Sequence, residues 1–114
     1  MAQGIMTMIY PVKDLAHAKT VYSALAEATP TTDSPYYVGF RVGDQEIGLD
    51  PNGHKNGLTG PVGYWHVSDI RTSLSRLLDA GATIVQEVRD VGRGRLIAVA
   101  KDGDGNAIGL LQDS

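Results

Sequence analysis

Laid over itself with a shift of 55 residues, the chain matches: Tyr10, Val12, Asp14 and Leu15 fall on Trp65, Val67, Asp69 and Ile70. Self-similarity at such a period means that one supersecondary unit is used twice, which removes most of the folds open to a chain of 114 residues. The periodicities identify the unit. Residues 5–12 alternate as a strand, and Asp14 then caps a helix in which Leu15, Ala18, Tyr22 and Leu25 recur at helical spacing, ending near Glu27. A strand is expected near Ala28 to Thr32, where two prolines and little apolar content make the pattern faint. Residues 36–42 and 45–50 follow as two strands around the turn at Gly43 and Asp44.

The stretch PNGHKNGLTGP, residues 51–61, reads as a loop and as the joint between halves. The order then restarts with a strand over 62–67 and a helix from about Asp69 to Ala80, with Ile70, Leu74, Leu77 and Leu78 on its apolar face and Gly81 as its C-terminal cap. Strands follow near 83–88, 95–101 and 107–111. The expectation is a single domain over 1–114, with module one at about 1–52 and module two at about 62–114.

Both modules close on the same tripeptide. Gly48 stands between Ile47 and Leu49, and Gly109 between Ile108 and Leu110. A glycine inside a strand costs roughly 0.5 to 1 kcal/mol relative to alanine, so it marks a bulge, a close approach or a hollow.

Composition narrows the function classes. With 10 basic and 13 acidic residues and a net charge of -3, nothing attracts a phosphate backbone or an anionic membrane, so neither nucleic acid nor membrane is expected as a partner. No long apolar run or leader-like segment is visible, and a cytoplasmic location is expected. Zero cysteines exclude disulfides, thiolate metal sites and cysteine nucleophiles.

The element order, with VKDLAHAKTVYSAL early and KDGDGNAIGLL late, resembles the vicinal oxygen chelate superfamily of glyoxalase I, bleomycin-resistance proteins and extradiol dioxygenases. The likeness covers nearly the whole chain. It implies an α+β fold of two tandem βαβββ modules, a curved mixed sheet forming a cup with the helices on its outer face. The metal enzymes of the superfamily carry ligands on the first and last strand of each module, positions that fall here on Thr7, Gly48, Val62 and Gly109. None is a His, Glu, Gln or Asp, so the resemblance implies no metal site of the family type and no cofactor is expected. Glyoxalase-like relatives place a glutamate where the two glycines stand. The glycines therefore either empty the cup at those points or are close-packing points with no bearing on ligands.

Period-two alternation sends Thr7, Ile9, Glu46, Gly48, Asp50, Val62, Tyr64, His66, Ala107, Gly109 and Leu111 to one face, with Tyr37, Gly39 and Arg41 from the third strand. Met8, Tyr10, Val12, Trp65 and Val67 are expected against the helices, and Val38, Phe40 and Val42 of the third strand in the core. The inferred lining suits an aromatic or amphipathic ligand, because tyrosine offers a flat face and a hydroxyl together. His66 is its most chemically capable member, since imidazole titrates near neutrality; a structural hydrogen bond is the plainer role. Glu46 and Asp50 either hold a cation or form a solvated strand end, and Arg41 either meets an anionic ligand or pairs with Glu46. GRGR, residues 92–95, lacks the lysine and following helix of a phosphate loop.

Two classes of function follow. One is a metal-independent binding protein, a homodimer holding a small molecule without turning it over. The other is an enzyme of the same fold, an isomerase or lyase with no metal or a displaced one, in which His66 is the base and Tyr64 or Tyr37 the acid. The missing ligands and glycine-interrupted strands favour binding.

Overall fold

Both helices begin at an aspartate. Asp14 is extended, and its Oδ1 accepts from the His17 backbone N–H at 3.0 Å, satisfying one of the unpaired donors that open α1, Leu15–Ala26. Asp69 does the same for α2, Ile70–Asp79, accepting from the Thr72 N–H at 3.1 Å. The C-terminal ends differ. Glu27 enters the left-handed region at φ 53°, whereas α2 ends through Ala80 and hands the positive φ to Gly81, at 110°, where no Cβ opposes it.

The computed structural model describes residues 2–114. Among them the strands are β1 Ala2–Pro11, β2 Thr32–Ser34, β3 Tyr37–Val42, β4 Gln45–Asp50, β5 Val62–Val67, β6 Thr83–Asp90, β7 Leu96–Lys101 and β8 Ala107–Gln112. With α1 after β1 and α2 after β5, the order is βαβββ twice, an α+β fold with mixed pairing.

The chain divides into two compact units, residues 7–61 on one side and residues 62–114 with the beginning of β1 on the other. Within the first, strands run β2-β3-β4-β1, parallel only between β1 and β4; within the second they run β5-β8-β7-β6, parallel only between β5 and β8. Each helix covers one face of its own unit. In the first, Ala18 of α1 buries against Val38, Phe40 and Leu49, with Tyr10, Val12, Leu15 and Tyr22 around them. In the second, Ile70 and Leu74 of α2 pack on Val67, Ala98, Ala100 and Leu110. Among the described residues no helix is long and apolar enough to cross a membrane.

Three expectations need correction. The strand expected over Ala28 to Thr32 is β2 at Thr32–Ser34, because the Ala28 N–H returns to Ser23 O and Pro30 has no N–H to give. Trp65, expected beneath the second helix, is 41% exposed, since α2 fills its core with aliphatic side chains and leaves the indole at the margin. Val42, expected in the core, is 46% exposed at the tip of the β3–β4 hairpin.

Candidate ligand-binding site

In the first unit the register sets Ile9, Gly48 and Gly39 in one row across β1, β4 and β3, and Thr7, Glu46 and Arg41 in the next. Tyr37 stands two residues before Gly39 on β3 and so shares its face. Its side chain crosses the glycine row, and its hydroxyl donates to Glu46 Oε2 at 2.8 Å. A Cβ on Gly39 would lie 2.9 Å from Tyr37 Cε2, and one on Gly48 would lie 2.7 Å from Tyr37 Cε1. The two glycines are thus the bed of a phenol ring. Of the two roles expected for Gly48, a hollow or a close-packing point, the second is observed: the Tyr37 ring, from the same unit, lies where a side chain would stand.

The neighbouring polar groups are engaged too. Ser34 Oγ accepts the N–H groups of Tyr36 and Tyr37 and donates to Tyr37 O, fixing the backbone at the start of β3. Asp50 Oδ1 accepts the Asn52 N–H at 2.8 Å and opens the following turn. Arg41, expected to pair with Glu46 or an anion, is exposed and donates to Asp44 O at 3.4 Å, within its own hairpin.

The second unit repeats the glycine–tyrosine contact with other geometry. Tyr64 on β5 is directly across from Gly109 on β8, and a Cβ there would stand 2.5 Å from Tyr64 Cδ1. Tyr64 is 4% exposed, and Val62, Val99 and Leu111, on the same face, are as deeply buried. Gly109 is likewise a close-packing point.

One row beyond lies His66, opposite Leu111. Its Nδ1 is 3.9 Å from Asp113 Oδ2, while Asp113 Oδ1 accepts from Arg95 Nε at 2.7 Å. The segment carrying Asp113 is anchored on both sides: Gln112 Oε1 accepts the Ile70 N–H at 2.8 Å, and Ser114 Oγ donates to Arg93 O at 2.9 Å. Arg95 and Asp113 were not singled out by sequence reasoning. The signal was present, because continuing the alternation of Gly109 and Leu111 one step past the strand brings Asp113 to the same face.

Thr7, Gly48, Val62 and Gly109 offer one hydroxyl between them, and at both glycines a tyrosine ring takes the space that a liganding side chain would need. Among the described residues no three of His, Cys, Asp or Glu gather as metal ligands. These residues do not fit the divalent metal of the resembled enzymes, which binds through three or four N, O or S donors. In the first unit, on the side that carries the helix, a cleft of about 230 Å³ opens beside α1 between Tyr22, Leu25, Phe40 and Val42. It falls short of the roughly 300 Å³ at which small-molecule sites begin. His54 and Lys55 are exposed on the loop after β4, and His17 on α1.

The sequence profile of the Glyoxalase/Bleomycin resistance protein/Dioxygenase superfamily matches residues 4–110. No curated protein sequence gives a match. Among solved structures, methylmalonyl-CoA epimerase from Mycobacterium tuberculosis is similar with a TM-score of 0.75 and 19% identity, covering 99% of this chain and 89% of that one. A protein from Legionella pneumophila described as an NAD-dependent benzaldehyde dehydrogenase also gives 0.75, at 18% identity over 95% and 98% of the two chains. A member of the matched superfamily from Vibrio splendidus gives 0.71 at 13% identity over 99% and 100%. At these identities the likeness concerns the fold.

Proposed function

Since this chain belongs to the glyoxalase/bleomycin resistance protein/dioxygenase superfamily, we propose that it is a metal-independent small-molecule-binding protein that takes an aromatic or amphipathic ligand on strand faces turned away from its helices. The observation that carries this reading is the chemistry of four positions: Thr7, Gly48, Val62 and Gly109 supply a single hydroxyl, and phenol rings cover both glycines. Such a face can stack on and hydrogen-bond an organic molecule, but it cannot activate one through a divalent ion. In module one the contacts fall to Ile9, Tyr37, Arg41 and Asp50 and in module two to His66, which reach solvent, whereas Thr7, Val62, Tyr64 and Leu111, expected in the lining, are buried. The protein is proposed to work as a homodimer without a cofactor in the cytoplasm.

A panel of aromatic compounds titrated into the purified protein in excess chelator tests the reading. Affinity that persists in chelator, with no compound consumed, is expected. Failure of every compound to bind would overturn it.

One observation favours a second reading, an enzyme that moves a proton. Asp113, held by Arg95, lies 3.9 Å from His66 Nδ1, placed to orient the ring of an imidazole base. A reaction of isomerase or lyase type would then be lost in His66→Ala with the melting midpoint nearly unchanged.

A further inference from the structure

We infer that Tyr37 is an exchangeable stopper: its phenol ring occupies a seat floored by Gly39 and Gly48, and a planar ring of the ligand takes that seat when the side chain swings away. The inference gives the face proposed above a ligand class and an entry route, and it rests on that reading for the natural occupant.

The floor is a cross-strand pair of glycines, so β3 and β4 present bare backbone side by side. Strand glycines of this kind mark close approach by something flat. Tyr37 satisfies that requirement, but its attachment is of a releasable kind. Its backbone is pinned at both N–H and C=O by Ser34 Oγ, so rotation about the Cα–Cβ bond moves the ring without disturbing the strand. The ring belongs to the first residue of β3, is partly exposed, and follows the exposed Tyr36 at the turn. Tyr64 has none of this freedom, being buried in mid-strand among Val62, Val99 and Leu111.

Glu46 defines the far edge of the seat. It is half-buried and accepts the Tyr37 hydroxyl, so a donor on the incoming ring can take over that bond when the side chain leaves. The incoming ring should therefore carry a hydroxyl or N–H at its edge, as phenols and indoles do, and should lack a carboxylate there.

The test uses Tyr37→Ala with p-cresol, whose ring and hydroxyl match the missing side chain, measured by titration calorimetry. Binding at least tenfold tighter than to the wild type is expected, with toluene weaker than p-cresol because it brings no donor to Glu46. Binding no tighter than to the wild type would overturn the inference. Should Tyr37→Ala not fold, Tyr37→Phe keeps the ring and loses the Glu46 bond. A rise in p-cresol affinity of about threefold is then expected from a looser stopper, and no rise would overturn it. The two readings fail separately. Aromatic ligands that bind the wild type, without a gain in the variant, sink the stopper and leave the binding function. A gain in the variant, with no compound bound by the wild type, sinks the binding function and leaves the seat.

Discussion

Two tyrosines lie on two glycines, one pair in each module, and the pairs are built differently. In the second, Tyr64 sits opposite Gly109 in a parallel pairing, at the middle of β5 and out of water. In the first, Tyr37 reaches diagonally from the start of β3 across two glycines to Glu46 and stays partly exposed. The same local solution, an aromatic ring resting where a side chain is missing, serves as a core brick in one module and as a surface cover in the other. Surroundings decide which: a mid-strand ring walled by aliphatic residues cannot leave, whereas a strand-end ring beside a turn can.

Alanine substitutions should separate the pairs most widely. Tyr64→Ala is expected to cost about 3 to 5 kcal/mol, as for other buried aromatics, because a cavity opens in a packed layer. Tyr37→Ala should cost about 1 to 2 kcal/mol, since less of its ring is withdrawn from water. Chemical denaturation of both variants checks this. Equal losses would mean that Tyr37 is as much a core residue as Tyr64.

Adding a methyl group probes the same difference from below. Gly109→Ala pushes a Cβ into an immovable ring and should cost about 1 to 3 kcal/mol, the usual range for overpacking. Gly48→Ala meets the ends of two flexible side chains, Tyr37 and Ile9, and should cost less than about 1 kcal/mol while displacing the ring. The thermal midpoint reads both, at about 3 to 5 °C per kcal/mol for a chain of this size. A larger loss for Gly48→Ala than for Gly109→Ala would reverse the assignment of stopper and brick.

How far the sequence carries toward this comparison depends on the distance over which each signal acts. The Ile-Gly-Leu repeats, the aspartate caps and the strand alternation are local, and they lead to the βαβββ order and, within each module, to the strand face on which its glycine lies. What rests on those glycines is not local. Tyr37 precedes Gly48 by eleven residues, and nothing in its neighbourhood says that its ring will lie along the strand toward Glu46 instead of standing upright over Asp50. Trp65 illustrates the reverse error. It aligns with Tyr10, which packs with Tyr22 at a centroid distance of 4.9 Å, yet the second helix has Leu77 at the position matching Tyr22 and the indole stays exposed. Asp113 and Arg95 meet only because β7 and β8 are neighbours, a fact of topology that neither residue's surroundings reveal.

Removing the Tyr37 hydroxyl sharpens the first pair on a finer scale. Tyr37→Phe gives up the 2.8 Å bond to Glu46, and a net loss of about 1 kcal/mol is expected for one hydrogen bond to a carboxylate at a half-exposed site. Denaturation at neutral pH measures it, and a loss near zero would show that water replaces the contact at no cost.

The smallest expected effect distinguishes the modules at their helix caps. The Asp69 carboxyl is held below its ordinary value of 3.8, first by the Thr72 backbone N–H and next by the Thr72 hydroxyl, both of which prefer the charged form. A carboxyl whose pKa falls on folding contributes stability that is present above 3.8 and is lost as pH drops through the lower, folded value. Asparagine caps a helix almost as well but carries no charge. Asp69→Asn should therefore be slightly less stable than the wild type at pH 7, and the two melting curves should converge as the pH is taken below 3.8. A gap that stays constant across that range would assign the loss to shape, leaving the charge on Asp69 without effect on the second helix.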